Sequence, residues 1–141
     1  FSSRRRHTRF KCDGVQTCAL PISDQAFSAL LEDLTARGLL EETLVVCMAE
    51  FGRTPRFNGA AGRDHWGPVF SIAMAGGGIR GGIVHGASDR LGAYPKDGLV
   101  RPEDITATIF HCLGYSPHST FRDVQGRDLS VSHGEVIRAI L

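Results

Sequence analysis

The sequence predicts an α/β layered domain, and three observations predict it. Phe27, Leu30, Leu31 and Leu34 recur at the spacing of one helical face within 24–37. A short β-branched apolar run at 44–49 follows almost at once. A further apolar run at 69–75 precedes a second helical pattern, opened by Pro102. A helix leading closely into a strand is the half-unit of such folds, because each element must bury one apolar face against another layer.

The elements can be justified in order. Gly38 is the expected stop of the first helix, since glycine takes the left-handed conformation that ends helices cheaply. The run at 44–49 reads as a strand buried on both faces, as in a parallel sheet. A polar loop at 50–68 separates it from 69–75, which Gly76-Gly77-Gly78 close. Residues 79–85, with Gly81, Gly82 and Gly86 nearby, read as a turn and a short strand, and a loop runs on through Tyr94 to Gly98. The second helix carries Glu103 and Asp104 in its first turn, where the macrodipole favours acids. Its buried face is expected to be Ile105, Ile109, Cys112 and Leu113, with Gly114 as its end. The tail after Pro117 is loop-rich, with one last helical turn expected from Glu135.

A chain of 141 residues, 42% hydrophobic and 22% charged, has the composition of a folded domain rather than of a disordered or membrane-embedded one. No run approaches the roughly 20 apolar residues of a membrane span. The net charge of +1 hides an asymmetry. Arg4, Arg5, Arg6, Arg9 and Lys11 face Asp13 alone within 1–22, so the rest of the chain is mildly acidic.

A basic arm ordinarily suggests nucleic acid or a membrane surface, but neither is the expectation here. Gly14-Val15-Gln16-Thr17-Cys18-Ala19-Leu20-Pro21-Ile22 resembles the conceptual translation of a short-read sequencing adapter, whose last codons GCT CTT CCG ATC read Ala-Leu-Pro-Ile. Residues 1–22 are therefore expected to be non-native and disordered, and they stay outside the fold reasoning. The natural part is expected to be 23–141, the C-terminal fragment of a longer domain. With Cys12 and Cys18 set aside, Cys47 and Cys112 remain in apolar runs, as small core residues rather than a disulfide framework or zinc ribbon.

Several motifs carry little chemistry. Gly76, Gly78 and Gly81 satisfy a GxGxxG pattern, but a dinucleotide site needs a helix opening at the third glycine, and a hairpin or bulge is expected instead. His111 is read as satisfying helix C-terminal carbonyls, and His118 and His133 as surface residues. His85, after the short strand, is read as a core or rim residue.

The segment 48–68 is different. It gathers Glu50, Arg53, Arg63, Asp64 and His65 into irregular chain just past a strand end, which is where ligands bind in open α/β sheets. A carboxylate with an imidazole suits a divalent ion such as zinc or manganese. A bound ion can activate a nucleophile and draw charge from a transferring oxyanion group. Arg53 and Arg63 can hold that group's oxygens through paired bonds. Surface salt bridges around Trp66 are the plainer reading of the same residues.

Glu50-Phe51-Gly52-Arg53-Thr54-Pro55, Gly62-Arg63-Asp64-His65-Trp66, Ala75-Gly76-Gly77-Gly78-Ile79-Arg80-Gly81-Gly82 and Gly86-Ala87-Ser88-Asp89 together resemble a bacterial sulfatase-like family, domain of unknown function 1501. That family is similar to the alkaline phosphatase superfamily. The resemblance implies the C-terminal part of a three-layer α/β fold with a mainly parallel sheet. It also implies metal-dependent hydrolysis of sulfate or phosphate esters, with inactivity of the fragment alone. The implied partner is a small-molecule or carbohydrate ester, in a periplasmic or secreted setting, with no nucleic acid and no membrane span. The implied metal is zinc, manganese, calcium or magnesium. Glu50 would replace a ligand aspartate and His65 would match a ligand histidine, with Asp64 orienting the histidine or ligating directly. A rival alignment places Asp64-His65 itself on the ligand pair. Phe51 departs from the superfamily pattern, since its ring has no ligating atom. The nucleophile would lie upstream, and Thr54 follows the wrong strand to serve as one. A non-catalytic binding protein on the same fold is the alternative.

Overall fold

The computed structural model describes residues 16–141, with side chains from Ser23 onward. Helix α1 (Gln16–Ala36) covers the expected helix and begins ahead of it, so residues 16–22 of the segment set aside belong to it; the remainder of that segment lies outside the described residues. Phe27, Leu31 and Leu34 are half-buried, whereas Leu30 on the same stripe is 47% exposed. The helix ends as predicted. Gly38 sits at φ +70°, its N–H donates to the Thr35 carbonyl, and the Leu39 N–H reaches back to the Leu34 carbonyl.

After a 3-10 turn (Leu40–Glu42) the chain enters β1 (Val45–Cys47). Strand β1 pairs antiparallel with β4 (Ala73–Ala75), Val46 opposite Met74. Between them, β2 (Gly52–Arg53) and β3 (His65–Trp66) form a hairpin. Strand β5 (Ala87–Ser88) pairs with β6 (Pro95–Asp97), and β7 (Thr120–Arg122) with β8 (Asp128–Ser130). All four sheets among the described residues are two-stranded and antiparallel.

Three expectations need correcting. The strand at 44–49 is not buried on both faces: Val45 and Val46 are half-buried, Cys47 is exposed, and Met48 is 54% exposed. A two-stranded sheet has too little layer above and below it to enclose its own apolar side chains. Residues 79–85 form no strand; Ile83 and Val84 lie in irregular chain, Val84 with 93% of its surface exposed. Gly76 instead bridges directly to Ile79, a tight turn, and no helix opens at Gly81, so the glycine pattern is a turn as read. Leu113 is exposed, because it caps α2 rather than facing inward.

Helix α2 (Pro102–Cys112) forms the centre of the core. Ile105, Ala107 and Thr108 are buried, and Ile109 and Cys112 half-buried. Pro102 opens it, since a first-turn position needs no backbone N–H partner. Gly114, at φ +84°, closes it with the same paired bonds as at Gly38: Gly114 N–H to the His111 carbonyl and Tyr115 N–H to the Phe110 carbonyl. The Tyr115 ring packs edge-on against Phe110, the apolar contact that accompanies such ends.

The segment 132–137 is fastened along the start of α2. Ser132 Oγ donates to the Glu103 carbonyl (2.7 Å) and accepts from the Gly134 N–H (3.1 Å). Asp104 Oδ1 accepts from Glu135 N–H (2.8 Å), and Thr108 Oγ1 accepts from Ile137 N–H (3.0 Å). The final turn, Arg138–Ile140, is 3-10 and is tied to Arg80 through the Ile140 and Ala139 carbonyls. No described helix is long and apolar enough to cross a membrane.

Candidate functional site

The hairpin β2–β3 organises the segment 48–68. Gly52, opposite Trp66, is required by close approach: a Cβ there would run into the Val69 carbonyl oxygen, so a side chain would push the hairpin off the chain that follows it. Arg53 pairs with His65, and directly opposed residues share a face of a sheet. Phe51, two positions before Arg53, lies on that face too.

The contacts follow from this register. The Phe51 ring stacks on the His65 imidazole, centroids 3.8 Å apart and planes 25° from parallel. The Arg53 guanidinium carbon lies 5.7 Å from the Phe51 centroid, and Arg53 Nη1 donates to the Arg63 carbonyl (3.3 Å). The Arg63 guanidinium sits over Phe57 at 4.8 Å, a cation–π geometry. His65, Arg53 and Arg63 are all exposed, so the face offers donors to solvent-borne anions.

Asp64 faces elsewhere. Its Oδ1 accepts from Asn58 Nδ2 (2.8 Å), its N–H donates to Thr54 Oγ1 (3.1 Å), and its carbonyl accepts the Thr54 N–H (3.0 Å). Adjacent residues project to opposite sides of extended chain, and here Asp64 turns into the loop while His65 turns onto Phe51. Thr54 is thereby a loop tie, its hydroxyl also donating to the Arg56 carbonyl (2.9 Å).

Glu50 is exposed, and its carboxylate takes no hydrogen bond or ion pair among the described residues. Its neighbour Phe51 is the residue that touches His65. No group of three or more His, Cys, Asp or Glu side chains among the described residues is close enough to hold an ion by itself. The donor chemistry still suits one: an imidazole stacked on a ring keeps its nitrogen lone pair in its own plane, clear of the stack.

Two features were not read from the sequence. Trp66 Nε1 donates to the Ala93 carbonyl (2.6 Å) and its ring meets Tyr94 edge-on, which fastens the hairpin to the loop at 89–94. That loop is wound on Asp89, whose Oδ1 accepts from the Leu91 and Ala93 N–H groups (3.0 and 2.8 Å). An aspartate before a turn is a signal for such winding, and it was available in the string Ser88-Asp89. The second feature is a cavity of about 340 Å³ at the C-terminal end of α2, lined by His111, Tyr115, His118, Glu135 and Arg138. Its parts lie far apart in sequence, so no local pattern announces it. His85 is exposed beside Gly98, a rim position.

Among the described residues two titrations are displaced, both outside the β2–β3 hairpin. Burial pushes the Cys112 thiol up from its ordinary value. The Arg127 backbone N–H, with further bonds from Arg127 and Gln125, holds the Asp123 carboxyl below its ordinary value.

Comparison with curated proteins and with solved structures finds no match. A family match spans residues 7–141, which takes in the hairpin, the Trp66-anchored loop and both described helices from Gln16 onward. The chain belongs to the family described as Protein of unknown function (DUF1501).

Proposed function

We propose that the chain is the C-terminal part of a sulfatase-like, mainly parallel three-layer α/β domain that hydrolyses sulfate or phosphate esters with a divalent metal when complete, and is inactive alone. One observation carries the reading: Arg53 and His65 stand in register on one exposed face, with His65 braced by Phe51. Such a face offers a fixed guanidinium fork and an imidazole to a tetrahedral oxyanion. Cys47 and Met48, exposed at the end of β1 beside half-buried valines, support an unfinished sheet, because such surface normally lies under further strands.

In this reading His65 and Glu50 supply two donors to a metal site, zinc, manganese, calcium or magnesium, that residues elsewhere complete. The ion would supply charge withdrawal from the ester oxygens. Arg53 and Arg63 hold the sulfate or phosphate group and keep it oriented. Asp64 is a reserve donor, released only if the Asn58 bond opens. Phe51 changes role from a missing ligand to the platform that fixes the imidazole plane. The substrate class is a small-molecule or carbohydrate ester met in the periplasm or outside the cell.

The test uses the full-length protein, with metal content by elemental analysis and hydrolysis of aryl sulfate and aryl phosphate probes. Glu50→Gln and His65→Ala should each lower metal affinity or turnover by about 10- to 100-fold or more. Unchanged metal content and unchanged turnover in both would remove these assignments. A second reading, a non-catalytic secreted binding protein, is favoured by the carboxylate of Asp64 being already committed to Asn58. It would be preferred if the pure protein held no metal yet bound inorganic sulfate through Arg53.

A further inference from the structure

The tip of the loop joining β2 to β3 is wound on the Asn58 side chain. Its Oδ1 accepts two backbone N–H groups, Ala60 and Gly62, each at 3.0 Å, while its Nδ2 donates to Asp64 at 2.8 Å. The donors fix which end of the amide is oxygen: two N–H groups point at one atom and a carboxylate at the other. The Asn58 N–H donates to the Gly62 carbonyl, and the Ala61 N–H to the Asn58 carbonyl, so the backbone closes on the same residue. The residue after it is Gly59, whose own N–H makes no hydrogen bond among the described residues.

We propose that Asn58 is a self-modification site, at which the loop converts the asparagine to aspartyl or isoaspartyl through a cyclic imide. The Gly59 backbone nitrogen attacks Asn58 Cγ, forming the N–Cγ bond and closing a five-membered ring. The Cγ–Nδ2 bond breaks, and Nδ2 leaves as ammonia carrying the proton given up by Gly59 N. Solvent water then adds to either imide carbonyl, breaking that carbonyl's bond to the ring nitrogen and yielding aspartyl or isoaspartyl at position 58.

Each part of the geometry favours that course. Two backbone N–H groups on Oδ1 draw electron density from Cγ and stand ready for the negative charge that develops on that oxygen during attack. The nucleophile is the free N–H of a residue with no side chain to obstruct it. Attacking and attacked atoms belong to neighbouring residues, so ring closure needs no encounter between separate molecules. The carboxylate of Asp64 lies on the leaving nitrogen, where it can assist the proton's passage.

The product would not fit the loop that made it. A carboxylate at position 58 lacks the N–H that Asp64 accepts, and it places like charge beside that acid. Asp64 would be freed from the loop, one residue before His65. The inference rests on the loop alone and stands whether or not the ester-hydrolase reading holds.

The experiment follows the amide-to-acid mass change at position 58 by peptide mapping of the full chain, incubated at mildly alkaline pH, beside a free synthetic peptide spanning 54–64. The folded loop should convert faster than the peptide, by about tenfold if its two donors act even weakly as an oxyanion site. A folded rate equal to or below the peptide rate would overturn the proposal, since the hydrogen bonds would then be protecting Asn58. Gly59→Ala gives the second arm. Gly59 is not left-handed and a Cβ there meets nothing, so the loop should persist while conversion falls several-fold. Conversion at an undiminished rate would exclude the cyclic route.

Discussion

On the proposed sulfatase-like reading Phe51 would stand where a metal ligand is expected, and its ring cannot be one. The structure gives it a different task, because a ring stacked at 3.8 Å fixes the plane in which His65 presents its nitrogens. Residue-level reasoning from the sequence could name Glu50, His65 and the arginines by chemical type, but it could not see that Asp64 would be turned away. That outcome depends on Asn58, six positions earlier, which no ligand pattern includes. Trp66 is the other residue whose role was hidden. Trp66→Phe keeps an aromatic side chain but removes the indole N–H from the half-buried Ala93 carbonyl, and should cost about 1–2 kcal/mol in chemical denaturation. The two cysteines make a further contrast. Burial raises the Cys112 thiol while Cys47 is exposed, so iodoacetamide should alkylate Cys47 well before Cys112 when the reaction is followed by mass spectrometry. In the full-length protein the proposed additional strands should protect Cys47 as well.

At the scale of elements, the helices were the legible part. Leucine spacing placed α1 from residue 24 onward but not its start at Gln16, Pro102 placed the start of α2, and glycines at 38 and 114 placed both ends, because these signals act within one or two turns of chain. Strand partners were not legible, since period-two patterns in runs this short do not say which run pairs with which. Asp104 shows how an element signal can carry a tertiary role. Read as a helix-dipole acid, it also accepts the Arg101 N–H through Oδ2 (2.9 Å) and the Glu135 N–H through Oδ1 (2.8 Å), joining the helix start to the tail. Asp104→Ala should therefore lower stability by about 1–3 kcal/mol, and Asp104→Asn by less, in parallel denaturation curves. The hairpin β7–β8 carries a pH dependence of its own. Its turn is wound on Asp123, which accepts the Gln125 and Arg127 N–H groups and the Arg127 Nε at 2.7 Å. With the folded-state pKa depressed, this contribution is complete above the ordinary carboxylate pKa and is lost as pH falls through the depressed value. Amide signals of Thr120–Arg122 and Asp128–Ser130 should weaken in acid, and Asp123→Asn should flatten that response.

Across the whole molecule, one helix and one tail segment hold the core while much apolar surface stays outside. Met48, Leu91, Leu99 and Val124 are exposed, and β1 and β4 each pair on one edge only among the described residues. Open strand edges and apolar patches promote association. A chain of residues 24–141 should bind apolar dyes and self-associate at micromolar concentration; a monomer that unfolds in one cooperative transition would contradict this. The cavity beside α2 belongs to this scale as well, since His111 comes from the helix, Tyr115 and His118 from the turn after it, and Glu135 and Arg138 from the tail.

The sequence by itself determined α2, α1 from residue 24 onward, their glycine stops, the turn at 76–79 and the concentration of polar chemistry in 48–68, because all of these rest on interactions between residues close along the chain. Tertiary structure alone decided that Arg53 would stand beside His65 and that Asp64 would face the loop. It also decided that 132–137 would lock onto α2 and that β1 would remain uncovered. Those outcomes depend on strand register and on which distant carbonyl a side chain reaches, and neither is encoded in any short window of residues.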